Sequence, residues 1–243
     1  MGDDDARGPF DDPRFVSRYL AHRTREGNAN DLLELPAFLE LLGDVRGLRV
    51  ADLGGGDGGF GAMLLARGAR WLVSVDSSAT MIDEARRTID PARGGVVHAA
   101  IEAWRPAIES FDIIVSRMTL HYVIELEVVL SRIRQALAPR GRFVFSVEHP
   151  VITASARSAR VDRTMGEWIV DDYFVEGARS VPWLGAEVKK QHRTLGTYTT
   201  MLKKAGFSLD AISEAAPRVG AFDDPDELAR RRRAPRFLII AAT

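Results

Sequence analysis

Cysteine is absent from all 243 residues. That excludes disulfides, thiolate catalysis and cysteine-based metal sites. No apolar run approaches the roughly 20 residues of a membrane-spanning helix. An excess of charge of either sign is also lacking, with a formal net charge of -1. Nothing therefore steers the protein toward nucleic acid or an anionic membrane. The opening MGDDDARGPF has no apolar centre, so it does not read as a secretory signal. Ala6 stands where a myristoylation motif beginning at Gly2 requires Ser or Thr. Internal repeats are missing. Histidine is sparse, and His22, His98, His121, His149 and His192 are too dispersed for metal-ligand spacing. These absences lead us to expect a cytoplasmic protein, monomer or homodimer, with no metal and no membrane or nucleic-acid partner.

What is present suits one α/β domain with a small lid, large enough to bury a core, since 46% of residues are hydrophobic. Residues 1–13 read as an acidic, disordered leader, and 14–243 as a single domain. Within it, 14–46 form a helical cap in which Leu35, Phe38, Leu39 and Leu42 recur at helical spacing. Strand-like runs LRVADL, WLVSVD, GVVHAA, FDIIVS and RFVFSVE then alternate with helical GGFGAMLLARG, SSATMIDEARRTI and LEVVLSRIRQALAPRG. This alternation predicts a mostly parallel sheet with helices on both faces. FSLDAISE and FLIIAAT supply two closing strands. Too little helix lies between them for a crossover, so the last strand is expected to run antiparallel. Residues 151–198 break the rhythm with a long connection. Such connections in compact domains are functional lids or disordered, and Trp168, Tyr173, Phe174 and Trp183 argue against plain disorder.

The stretch ADLGGGDGGFG, residues 51–61, follows the first strand and opens a helix. This is the position where α/β sheets bind nucleotide-like ligands. Gly54, Gly56 and Gly59 satisfy the dinucleotide pattern G-x-G-x-x-G. Asp52, Gly54, Gly56 and Gly58 equally satisfy D-x-G-x-G-x-G, so the glycines alone do not select a ligand. The carboxylates do. A pyrophosphate prefers positive potential at a helix N-terminus, which Asp52 and Asp57 would oppose. S-adenosyl-L-methionine has no phosphate and carries an ammonium and a sulfonium, and Asp52 beside the ammonium is attractive. Asp76 ends the second strand, where a carboxylate accepts from both ribose hydroxyls. That role is shared with NAD sites, and a helix cap or turn is the plainer alternative.

NANDLLELPA, VADLGGGDGGFGAMLLARGA, VSVDSSATMIDEAR, FDIIVSRMTLHYV and IRQALAPRGRFVFSVEHP follow one another in order, and HRTLGTYTTMLKKAGF follows later. In these segments the chain resembles class I S-adenosylmethionine-dependent methyltransferases. The likeness is to the broad type 11, ubiquinone-methylase-like group of bacterial small-molecule enzymes. The resemblance implies a Rossmann-like, seven-stranded sheet and S-adenosyl-L-methionine as cofactor, with S-adenosyl-L-homocysteine as product. It implies Met81 and Ile101 against the adenine, Ser116 near the methionine amino group and Ser77 among the cofactor contacts. Ala100 stands where the group often has an acid for the adenine amine, and Glu102 is expected to substitute. Gly55 stands where cysteine is frequent, a change expected to be neutral.

Methyl transfer displaces a neutral thioether in line, so no leaving-group acid is needed and alignment supplies much of the catalysis. An oxygen or nitrogen nucleophile can require a base, commonly histidine. His121 and His149 follow the fourth and fifth strands at the carboxyl edge of the sheet and are the candidate bases. Each has a packing or hydrogen-bonding role as its alternative, and Glu148 competes at the same edge. His98 lies within a strand and reads as structural. Trp168, Tyr173, Trp183 and His192 are expected to line the acceptor site beneath the lid, the plainer reading being a small satellite core. ARRRRAP before the last strand reads as a solvated loop rather than a nucleic-acid patch. The expectation is therefore transfer to an O, N or C nucleophile of a small organic molecule, with secondary metabolism as one setting. An RNA methyltransferase and a non-catalytic S-adenosylmethionine-binding regulator are the alternatives, and Asp52 disfavours a dehydrogenase.

Overall fold

Runs of consecutive apolar residues form the central strands, and burial on both faces explains their composition. The computed structural model describes residues 8–25, 27–155 and 168–243. All six residues of the last strand, Phe237–Ala242, are buried. In chain order the strands are β1 (Arg49–Leu53), β2 (Trp71–Asp76), β3 (Gly94–His98), β4 (Phe111–Arg117), β5 (Leu137–Glu148), β6 (Gly177–Trp183), β7 (Ala186–His192), β8 (Leu209–Ser213) and β9 (Phe237–Ala242). Seven of them make one sheet in the order β3-β2-β1-β4-β5-β9-β8. The first five strands in that order pair in parallel. β9 runs antiparallel between β5 and β8, as expected.

Alternate residues of each strand feed opposite faces. From β1, Ala51 and Leu53 join one core and Val50 the other; from β4, Ile114 divides in the same way from Ile113 and Val115. Helices α5 (Leu126–Ala136) and α7 (Leu195–Lys204) cover the first face through Val129, Leu130, Ile133, Tyr198 and Leu202. Helices α2 (Leu35–Leu42), α3 (Gly59–Ala66) and α4 (Ala79–Thr88) cover the second through Phe38, Leu42, Leu64 and Ala85, with Ile89 just past the end of α4. Strand order reverses at β1, which lies between β2 and β4. The crevice at the carboxyl ends of such strands is where open α/β sheets hold ligands.

Two stretches depart from the local reading. Within the expected lid, β6 and β7 form a separate two-stranded hairpin. Leu184 and Gly185 both have positive φ, 48° and 77°, between the paired Trp183 and Ala186. Positive φ at both central residues is the requirement of a tight two-residue hairpin turn. A short helix, α6 (Pro150–Thr153), precedes the hairpin, and residues 156–167 of the lid lie outside the described residues. The leader also differs from the disordered reading. Residues 1–7 lie outside the described residues, but Pro9–Asp11 forms a 3-10 turn ahead of α1 (Pro13–Arg23). Phe10 packs edge-on against Phe15, Tyr19 and Tyr122 with centroids 5.1, 5.3 and 5.7 Å away. Its carbonyl accepts from the Ser78 hydroxyl at 2.6 Å. Aromatic contact plus a hydrogen bond orders the segment against the carboxyl edge.

Candidate functional site

The glycine loop is shaped by close approaches. Gly54, Gly56 and Gly58 have φ of 75°, 56° and 78°, a region where L side chains are strained. A Cβ on Gly54 would lie 2.2 Å from the Thr119 hydroxyl oxygen, and one on Gly58 would lie 3.0 Å from Ala85 Cα. The amides of Gly54 and Gly55 both donate to the Val75 carbonyl, at 2.8 and 3.1 Å, which ties the loop to the end of β2. Gly54→Ala is therefore expected to destabilise the fold by about 1–3 kcal/mol through overpacking, measurable by denaturant unfolding. Gly55 corrects the expectation of a neutral change. A Cβ there would sit 2.1 Å from the Ser74 hydroxyl oxygen, so any side chain requires that buried hydroxyl to turn away.

Beneath this loop lie the acids. Asp52 is 1% exposed, and its Oδ2 and the Ser74 hydroxyl have no hydrogen-bond partner among the described residues. Desolvation pushes the Asp52 carboxyl up to about 7, opposed by Arg117 and reinforced by Asp76 and Asp57. A buried carboxylate without a partner costs free energy unless a cation reaches it. Asp76 accepts from the Gly56 amide at 2.9 Å through Oδ2 and from the Ser78 amide at 2.9 Å through Oδ1. Burial raises its pKa and these amides oppose the shift. Its turn role is thus realised, and each oxygen retains acceptor capacity for a further donor. This acid set fits the ammonium and hydroxyls of S-adenosylmethionine and opposes a pyrophosphate.

The remaining cofactor candidates sit on four segments around the same edge. Met81 is buried on α4 and Ile101 is buried just beyond β3. Glu102 is half-buried, and its carbonyl accepts from Arg105 and Arg132 at 2.7 and 3.0 Å. Ser77 is exposed, with its carbonyl 2.9 Å from His98 Nε2, while Ser78 is the residue that caps α4. The Ser116 hydroxyl donates to the Leu53 carbonyl at 2.8 Å, where β4 lies against β1.

The candidate bases separate in the structure. His121, in the 3-10 turn Leu120–Tyr122, is 1% exposed. Its Nδ1 has no partner among the described residues. Desolvation drives the imidazole down to about 3, with Glu148 opposing and Lys190 and Arg193 reinforcing the shift. His149 is corrected as a base, because both its nitrogens are engaged. Nδ1 accepts from the Val151 amide at 3.2 Å and caps α6, and Nε2–H donates to Glu214 at 3.0 Å. His192 is likewise engaged, accepting from the Thr153 hydroxyl at 2.8 Å and donating to the Tyr173 carbonyl at 2.9 Å. It fastens β7 to α6 and leaves no nitrogen for an acceptor. Burial raises the Glu148 carboxyl, but Lys190, 2.6 Å away, and His121 bring it below its ordinary value.

The lid aromatics occupy different places. Trp183 stands edge-on to Phe15 and Tyr19, each with centroids 5.8 Å away, and the Lys190 ammonium lies 5.6 Å from its ring centroid. Tyr173 accepts from the Leu195 amide at 3.4 Å through its hydroxyl. Trp168 Nε1 is buried without a partner among the described residues. No group of three or more metal-ligating side chains occurs among the described residues.

Residue patterns missed the deepest ion pair at the site. Arg117, at the end of β4, pairs with fully buried Glu34. The two are 83 positions apart, and no local spacing signals them. Glu34 also accepts from the Ser146 hydroxyl at 2.6 Å. The Arg117 guanidinium lies 4.5 Å from the Phe60 ring centroid. Tyr19, from α1, is held in the field of Asp57, Asp76 and Arg117; burial raises its phenol.

Residues 50–141 match the family described as "Methyltransferase domain". The chain is similar to the crystal structure of an S-adenosylmethionine-dependent methyltransferase from Mesorhizobium loti, with 34% identity and a TM-score of 0.80, covering 86% of this chain and 96% of the other. It is similar to a Listeria monocytogenes protein provisionally assigned to the same class, at 31% identity and a TM-score of 0.78, covering 86% and 96% of the two chains. An uncharacterised protein of Haemophilus influenzae is 29% identical over 215 residues, covering 84% of this chain and 85% of that protein.

Proposed function

This chain belongs to the S-adenosylmethionine-dependent methyltransferases, and from that premise we propose that it methylates a small organic acceptor held beneath the β6–β7 hairpin and the N-terminal segment. The observation that supports a small acceptor is the aromatic enclosure of the carboxyl edge. Phe10, Phe15 and Tyr19 of the N-terminal segment form a chain of ring contacts there with Trp183 of the hairpin, and Tyr122 closes the side next to His121. Apolar walls with a few polar groups suit a small molecule, and they exclude water from the reacting atoms.

Bound S-adenosylmethionine supplies an electrophilic methyl group on a sulfonium. Asp52 would hold its ammonium, Asp76 its ribose hydroxyls, and Met81 and Ile101 the two sides of the adenine. The chain's own catalytic contribution is then orientation and desolvation. His121 acts as a hydrogen-bond acceptor at Nδ1 that aligns the nucleophile. With its imidazole near 3, the ring stays neutral at working pH and is a weak proton acceptor, which revises the general-base expectation. His121→Ala is expected to lower kcat about threefold to tenfold, the worth of one net hydrogen bond, with Gln retaining more activity. The kcat–pH profile should show no His121 inflection near 6.5; an inflection there that vanishes in His121→Gln would restore the base.

S-adenosylhomocysteine formation tests the function itself, measured with a panel of small alcohols, amines and acids and, separately, with bulk RNA. Turnover with members of the panel is expected. Transfer to RNA and to no small molecule would overturn the reading.

A further inference from the structure

Three charged groups surround His121: Glu148, Lys190 and Arg193. Glu148 is paired with Lys190 at 2.6 Å, and Arg236 adds its positive field to Glu148. Arg193 is the cation that this pairing leaves over. It is 6% exposed, yet among the described residues no carboxylate lies within ion-pair distance of its guanidinium. Nη2 donates to the Val123 and Ile124 carbonyls at 2.7 and 2.8 Å. Nη1 is buried with no hydrogen-bond partner among the described residues. A guanidinium carries five donors in a planar fork suited to carboxylate or phosphate oxygens. Buried charge without a counter-charge is costly, and neither the two backbone carbonyls nor the neutral Tyr198 phenol beside Arg193 supplies one.

The glycine loop is richer in acids and the side next to His121 is richer in cations, even though Arg117 acts on Asp52 and Glu148 pairs with Lys190. Asp52, Asp57 and Asp76 gather around the glycine loop, where a cationic ligand binds, while Lys190 and Arg193 stand beyond β4 and β5 next to His121. From the buried Arg193 guanidinium beside His121 and Lys190, which has no carboxylate partner and a free Nη1 among the described residues, we infer that the methyl acceptor is a small organic anion whose acidic group is held by Arg193. This rests on the methyltransferase reading and names the substrate class of the same site. The acceptor's apolar body packs against the Tyr122 and Trp183 rings, which leaves its nucleophile near His121.

The experiment titrates protein saturated with S-adenosylhomocysteine by calorimetry, using benzoate and phenylphosphonate against the neutral benzamide. The expected result is at least tenfold tighter binding of one or both anions than of benzamide. Arg193→Gln should abolish this preference while S-adenosylhomocysteine affinity stays within twofold. A role for Arg193 only in bracing the Val123–Ile124 turn would alter stability without changing the charge preference. No anion preference in the wild type overturns the inference, as does a preference that survives in Arg193→Gln. If the variant does not fold, the wild-type comparison decides alone. Failure to bind S-adenosylhomocysteine would sink the proposed function itself, whereas cofactor-product binding without anion preference sinks only this substrate class.

Discussion

Asp52→Asn is expected to raise the melting temperature of the cofactor-free protein at pH 8 while weakening S-adenosylhomocysteine binding about 10- to 100-fold. The two effects share one cause. Burial lifts the Asp52 carboxyl from its ordinary 3.8 to about 7. The folded protein therefore keeps a proton that the unfolded chain has released between these values, so stability falls as pH rises through that window. Above it, the ionised carboxylate costs on the order of 4 kcal/mol, at 1.36 kcal/mol per pKa unit. Asparagine removes that cost, which should appear as a gain of several degrees at pH 8 and little change near pH 4. In the proposed site, the ammonium of the bound molecule would offset the same cost in the wild type. Losing a hydrogen bond to a charged group accounts for the affinity loss, about 1.5–3 kcal/mol. In the wild type, the thermal shift produced by S-adenosylhomocysteine should accordingly be larger at pH 8 than at pH 6. Equal melting temperatures for Asp52→Asn and wild type at pH 8, with equal affinity, would show that Asp52 is neither strained nor in contact with the ligand.

Glu34→Ala is expected to destabilise the protein by about 3–5 kcal/mol, because it strands a buried guanidinium. Arg117 would keep its place over the Phe60 ring but lose its only carboxylate partner among the described residues. The Ser146 hydroxyl, which donates to Glu34 and accepts from the Met118 amide at 3.1 Å, would lose its acceptor as well. A loss of that size corresponds to a drop in melting temperature of roughly 6–20 °C. The double variant Glu34→Leu with Arg117→Met separates charge from packing, since an apolar pair of similar volume is often neutral in stability. It should recover most of the loss in urea unfolding. A double variant no more stable than Glu34→Ala would assign the effect to shape rather than to the unpaired charge.

Much of the architecture was legible locally. Alternating strand-like and helical runs specified a parallel sheet, because a strand buried on both faces must be apolar throughout and a covering helix only on one side. The short connection before FLIIAAT required an antiparallel return, which β9 makes. D-x-G-x-G-x-G was readable as a cationic-ligand loop, because positive φ and close backbone approach leave glycine as the residue type, and charge sign needs no coordinates. The lid showed its aromatic content but not its hairpin, since Leu184 at positive φ is an untypical turn residue.

The state of each polar side chain, in contrast, was decided by tertiary packing. His121, His149 and His192 are alike as letters, yet one is left with an unpartnered nitrogen and two are fully engaged. What separates them is which distant donors and acceptors arrive: Glu214 for His149, Thr153 and Tyr173 for His192, and none among the described residues for Nδ1 of His121. Glu34 meets Arg117 only because the segment before α2 folds against the end of β4, and Asp52 owes its raised pKa to burial in the folded chain. Element type and ligand charge follow from periodicity and residue chemistry, which act over a few neighbours in sequence. Burial, pairing and desolvation depend on groups tens of residues away, and only the folded chain brings these together.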